Sequence, residues 1–136
     1  MLDDVEGEGV MIESYEKLKV YQKAYAESLE LHRLTLRFPQ YELHELGGQM
    51  RRASKSIAMN IAEGYGRRST LQEFKRFLGM ALGSCDEVHV QLNYCKDLKY
   101  IEQEEYEIHK EAYKEIGKML NSMLQKWNYP NSNSST

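Results

Sequence analysis

Proline and cysteine each occur only twice in this chain of 136 residues, and Val and Ile are few. So little proline leaves long helices uninterrupted, and the abundance of Glu, Lys, Leu and Met favours helix over strand, so the composition predicts an all-α fold. Cys85 and Cys95 fall on one predicted helix, a separation of roughly 15 Å at 1.5 Å per residue and beyond disulfide reach. They are expected to be packing thiols. No run approaches the ~20 apolar residues of a membrane span, and the acidic opening MLDDVEGEGV lacks the basic and apolar regions of a signal peptide. A cytoplasmic protein with no membrane partner is expected. Also missing are a P-loop, a Gly-x-Ser-x-Gly elbow, a Cys-x-x-Cys pair and a dinucleotide-binding glycine fingerprint, so no enzyme, catalytic residue or cofactor is expected.

Strong net charge is lacking too, at −3, which disfavours a dedicated nucleic-acid-binding domain. The distribution is uneven. From Gln49 to Arg76, seven basic residues (Arg51, Arg52, Lys55, Arg67, Arg68, Lys75, Arg76) face only Glu63 and Glu73, leaving that segment at +5 and the remainder at −8. Residues 1–14 read as an acidic flexible tail and 129–136 (YPNSNSST) as a disordered polar one.

Between the tails, over residues 15–128, punctuation divides the chain into four helices. The first spans about Tyr15 to Arg37, ending before Phe38-Pro39 because the residue preceding proline disfavours helical backbone. The second spans about Tyr41 to Glu63 and is expected to stop at Gly64-Tyr65-Gly66, where glycine can take positive φ. The third runs to about Leu98 from a capping box, Ser69 with Gln72 or Thr70 with Glu73. The fourth spans about Gln103 to Asn128, with Glu104 and Glu105 at its positive end and Lys126 at its negative end. Short connections imply antiparallel neighbours, an up-down-up-down four-helix bundle.

Each helix carries a core stripe of 3.6 periodicity: Leu18, Tyr21, Tyr25, Leu29, His32 and Leu36 on the first, and Leu43, Leu46, Met50, Ala53, Ile57 and Ile61 on the second. The third offers Phe74, Phe77, Leu78, Ala81, Cys85, Val88, Leu92 and Cys95, and the fourth Tyr106, His109, Tyr113, Ile116, Leu120, Met123 and Trp127. The first helix has a second apolar stripe, Val20, Ala24, Leu31 and Leu34, which one bundle core cannot also bury. The third has a mixed seam away from its core, Arg76, Met80, Gly83, Glu87, Val90 and Tyr94, and the second a similar face of Arg52, Met59 and Glu63. A second organised surface of this kind predicts a partner chain, so these residues are the expected oligomer interface, with the small glycine allowing close approach.

A carboxylate-histidine metal bundle would need repeated Glu-x-x-His pairs. Asp86-Glu87-Val88-His89 supplies a single Asp-x-x-His, and His32, His44 and His109 provide no second copy. No metal site is expected.

The runs KLKVYQKAY (Lys17 to Tyr25), QMRRASKSIAMNIAEGYGRRS (Gln49 to Ser69) and EFKRFLGMALGSCDEV (Glu73 to Val88) resemble the 23S rRNA intervening-sequence proteins, also called the S23 ribosomal protein family. The resemblance covers about Glu16 to Met123. It implies a bacterial, non-enzymatic four-helix bundle, often a ring-like pentamer, whose relatives include accessory proteins of diversity-generating retroelements that bind a reverse transcriptase. Where the family often has proline this chain has Ala58, so the second helix is expected to run straighter. The family name raises an RNA role, for which Arg51, Lys55, Arg67, Arg68 and Lys75 are the candidate phosphate contacts. The favoured reading is a self-associating scaffold whose partner is a further copy of itself. The alternative is an accessory subunit that binds nucleic acid or a reverse transcriptase.

Overall fold

The computed structural model describes residues 14–134, with side chains as far as Trp127; the acidic tail up to Glu13 and the last two residues of the polar tail lie outside the described residues. A 3₁₀ turn, Tyr15–Lys17, is capped by Ser14, whose Oγ accepts from the Glu16 N–H. There follow α1 (Lys19–Thr35), the short α2 (Gln40–Leu43), α3 (Leu46–Gly66), α4 (Leu71–Asp97) and α5 (Gln103–Ser134). No strand occurs among the described residues, and no helix among them is long and apolar enough to cross a membrane.

The four long helices pack α1 on α3, α3 on α4, α4 on α5 and α5 back on α1. Contacts run in opposite sequence order along every pair. Arg51 and Lys55 of α3 meet Thr35 and His32 of α1; Cys95 and Ser84 of α4 meet Met50 and Ser56 of α3. Phe74 and Asn93 of α4 meet Trp127 and Tyr106 of α5, and Glu27 and Lys23 of α1 meet His109 and Glu115 of α5. Neighbouring helices are therefore antiparallel around one core.

The periodicity on α3, α4 and α5 marks that core correctly. Met50, Ala53, Ile57, Ile61, Phe74, Leu78, Val88, Leu92, Tyr113, Ile116 and Leu120 are all buried. On α1 the expected core stripe holds only in part: Leu18 is buried and Tyr21 packs against the core, but Tyr25, Leu29 and Leu36 are exposed, while Val20, Ala24, Leu31 and Leu34, expected on an oligomer interface, are buried inside the chain. Both stripes are apolar, so periodicity alone could not choose between them. Buried Ser28 and Thr35 flank the true core stripe, and each hydroxyl is satisfied by donating to a backbone carbonyl one turn earlier.

Four local expectations are corrected by the structure. α3 does end in the Gly64-Tyr65-Gly66 run, but at Gly66 and with Arg67 at φ −109° as the C-cap rather than a glycine at positive φ, and Gly64 stays helical where α3 crosses α4. A Cβ on Gly64 would lie 2.9 Å from Phe77 Cβ, closer than packed carbons tolerate. Neither capping box forms. Thr70 is the N-cap without a side-chain bond, and the Glu73 carboxylate accepts from Arg76. The second helix is broken at His44–Glu45, where Glu45 takes φ −85°, ψ −95°. Arg51 holds that break, donating from Nη2 to the Leu43 carbonyl at 2.8 Å and from Nη1 to Thr35 Oγ1 at 2.8 Å. The helix backbone of α5 also extends past Asn128 to Ser134, into the segment expected to be a tail.

The α4–α5 connection turns on Lys99, at φ 66°. The Tyr100 N–H donates to Cys95 O and the Lys99 N–H to Lys96 O, the 6→1 and 5→2 pair of a Schellman motif in which lysine occupies the usual glycine position.

Candidate interaction surface

Grooves lie on both sides of α3. The first, of about 610 Å³, lies between α3 and α4; its apolar wall is Leu46, Val90, Tyr94 and Leu98, and Glu42 and Glu87 stand at its edge. Val90, Tyr94 and Leu98 are each at least half exposed. Glu42 is held in place, accepting from Tyr100 Oη at 2.8 Å and from the Leu46 N–H. Gln91 also lines this groove although only 5% of it is exposed. Its Nε2 makes one long bond to Glu87 at 3.4 Å, and its buried Oε1 has no donor. Toward the middle of the same flank, Ser56 and Ser84 share a 2.8 Å hydroxyl bond across the helix pair, and Asn60 Nδ2 donates to the Ser56 carbonyl.

The second groove, of about 360 Å³, lies between α1 and α3. Three tyrosines build one wall: Tyr15 meets Tyr21 edge-on at 4.9 Å, and Tyr21 stacks on Tyr25 at 5.9 Å. Leu29 and Met59 complete the apolar surface, and Lys55 is the cation of its lining, 3.0 Å from His32 Nδ1. Partial desolvation and then the neighbouring Lys55 lower the His32 pKa, so the ring is neutral near pH 7 and Nδ1 can accept from the ammonium.

Between the grooves, the outward strip of α3 and the adjoining flank of α4 carry the rest of the expected interface. Arg52, Met59, Glu63, Arg76, Met80, Gly83, Glu87, Val90 and Tyr94 are all exposed, with Met59 at 68%. Their ion pairs are local: Arg67 Nε donates to Glu63 at 2.8 Å, and Arg76 to Glu73.

The expected phosphate contacts do not converge on one patch. Arg51 is committed to Thr35 and Leu43 O, and Lys55 to His32, on the α1 side of α3. Arg67 and Arg68 sit at the other end. Arg68 donates to the Tyr65 carbonyl at 2.7 Å, closing the α3 C-terminus, with its guanidinium 4.0 Å over the Tyr65 ring. Arg67 and Arg76 both lie over Phe77. Lys75 is half-buried close by on α4 and also has an interaction partner.

Burial pushes both Cys85 and Cys95 thiols up to about 12, so neither is a nucleophile at neutral pH. No cluster of three or more metal-ligating side chains occurs among the described residues. His109, expected on the core stripe, is paired with Glu27 at 3.2 Å, and His89 has its pKa lowered, chiefly by burial.

Sequence reasoning missed Gln91 and the exposed apolar residues of the two grooves, Tyr25, Leu29 and Leu98. A glutamine at a core register position, between Val88 and Leu92, was the available signal.

The family model for the 23S rRNA-intervening sequence protein matches residues 16–122. A solved structure from Bacteroides thetaiotaomicron, described as a protein with unknown function from the S23 ribosomal protein family, superposes with a TM-score of 0.72 at 24% identity. The alignment covers 78% of this chain and 95% of that one, and at this identity it is the fold that is shared. No curated protein matches the chain.

Proposed function

The chain belongs to the 23S rRNA-intervening sequence protein family, and we propose that it works without turnover, as a self-associating scaffold. One observation carries this reading. The exposed large apolar residues Met80, Val90 and Tyr94 recur along the outward face of α4 with exposed Arg76 and Glu87 among them, and Met59 stands exposed on α3 with Arg52 and Glu63. A solvated surface does not need that apolar content, whereas an interface combines an apolar centre with charges that set register. A ring of five, the assembly the family resemblance implies, is the proposed form, and its role is to present a surface to other molecules in the cytoplasm.

Docking of nucleic acid or a reverse transcriptase through Arg51, Lys55, Arg67, Arg68 and Lys75 is the weaker reading, since the first four already hold partners within the chain. Sedimentation velocity over the micromolar range tests self-association, and anisotropy of labelled RNA across a salt series tests the alternative. RNA affinity that falls steeply with salt and is lost with Arg67→Ala/Arg68→Ala would favour the second reading over the first.

A further inference from the structure

The α1/α3 groove is apolar along its length and carries charge of one sign. Tyr25, Leu29 and Met59 stand exposed in it, Lys55 is its cation, and its lining holds no carboxylate. The charge at the Lys55 end is not neutralised by the bonds made there. Lys55 meets the neutral His32 ring, which leaves its ammonium two further donors. Arg51 gives its bonds to Thr35 Oγ1 and the Leu43 carbonyl, which are also uncharged. After partial desolvation, it is Lys55, Arg51 and Arg33 that lower the His32 pKa, so three cations act on one spot.

The chain before α1 leads into this groove. Its backbone is extended at Ser14, and the next residue, Tyr15, already belongs to the groove wall. Residues 1–13, outside the described residues, include Asp3, Asp4, Glu6, Glu8 and Glu13 without a single Lys or Arg, and an apolar run, Val10-Met11-Ile12. The two patterns match in order. Ile12, Met11 and Val10 fall within five residues of Tyr15, a reach of up to about 17 Å in extended chain. Glu8 and Glu6 fall seven and nine residues before it, a reach of up to about 30 Å. On α3 the groove runs from Ala62 back to Lys55, roughly 10 Å at 1.5 Å per residue. The acids therefore reach the cations while the apolar run lies over the tyrosines.

We infer that the N-terminal segment occupies the α1/α3 groove of its own chain, with Val10, Met11 and Ile12 against Tyr21, Tyr25, Leu29 and Met59, and Glu6 and Glu8 beside Lys55. Tethering favours this occupant, since a short linker holds it at an effective concentration in the millimolar range. The α3/α4 groove would repel the same segment, because Glu42 and Glu87 stand at its edge. The contact lies within one chain and does not depend on self-association. In place, the segment covers exposed apolar surface and sets carboxylates where a phosphate would otherwise meet Lys55.

The test uses the full chain carrying one nitroxide at Gly7→Cys. Cys85 and Cys95 are buried with their thiols pushed up to about 12, so position 7 takes the label. At low salt the label should broaden the Met59 methyl signal. The broadening should fall about threefold in Lys55→Gln, and likewise at about 1 M salt, where the screening length is ~3 Å. In Glu6→Gln/Glu8→Gln the His32 pKa should drop by about 0.5, because two carboxylates leave its surroundings. A Met59 signal that stays sharp, broadening indifferent to both salt and Lys55→Gln, or an unchanged His32 titration each overturns the docking. A mixture of nitroxide-labelled chain without isotope and isotope-enriched chain without nitroxide identifies the source of the segment. Full broadening in that mixture would mean that the segment comes from another copy, which overturns the placement within one chain. Sharp signals there are the expected result.

Discussion

Gly64 of α3 and Phe77 of α4 pass so closely that a methyl group on the glycine would stand 2.9 Å from the phenylalanine Cβ and 3.4 Å from Phe74 O. The near atoms are a Cβ and a backbone carbonyl, neither of which can swing aside. Gly64→Ala should therefore lower stability by about 1–3 kcal/mol, although alanine is the better helix former. Gly117 on α5 has nothing within 4 Å of the same construction, so Gly117→Ala should raise stability by about 1 kcal/mol. Denaturant melts of the two variants give opposite signs if close packing, and not a turn, is why position 64 holds glycine.

That glycine also shows where sequence reasoning ran out. Gly64-Tyr65-Gly66 has the composition of a turn, and only the neighbouring helix at Phe74 and Phe77 reveals that the first glycine serves a helix crossing. The core stripes on α3, α4 and α5 were legible because each of those helices has a single continuous apolar face. On α1 two apolar faces compete, and the choice depends on where α3 and α5 lie, which is tertiary information. The seam from Arg76 to Tyr94 was legible as a pattern of spacings. The orphaned Gln91 oxygen was not, since satisfaction of a polar atom is a property of its surroundings.

Arg51 bridges the end of α1 to the short α2, through Thr35 Oγ1 and Leu43 O. Its charge is thus employed inside the fold. Arg51→Ala should cost about 1.5–3 kcal/mol, the range for hydrogen bonds made by a charged group, with no change in the salt dependence of any RNA binding. Chemical denaturation gives the first quantity and anisotropy the second.

Lys99 holds the left-handed position of the Schellman turn before α5. A residue with a Cβ is strained there and glycine is not. Lys99→Gly should raise stability by about 0.5–1 kcal/mol, less than the full relief because glycine also frees the unfolded chain. A fall in the melting temperature would mean that the lysine side chain contributes more than its backbone strain costs.

Glu105 accepts from Arg37 and from the N–H of Glu102, the residue just before α5. Partial burial pushes its carboxyl up, but the Arg37 bond and charge together with that N–H bring it below the usual carboxylate value. A carboxylate with a lowered folded pKa contributes stability that is present above its unfolded pKa, about 4.3, and is lost as pH falls through the lower folded value. Stability of Glu105→Gln should therefore change less steeply than wild type as pH falls below about 4.3. Parallel pH-dependence curves for the two proteins would count against the pair.

The central claim is that the outward flank of α3 and α4 is an interface between copies of this chain. Sedimentation velocity of the full chain across the micromolar range, beside Val90→Glu/Tyr94→Glu, tests it most directly. The account predicts a wild-type species several times the 15.9 kDa of one chain, reduced to monomer in the variant with the helical melt unchanged. A wild-type protein that sediments at 15.9 kDa throughout would contradict it.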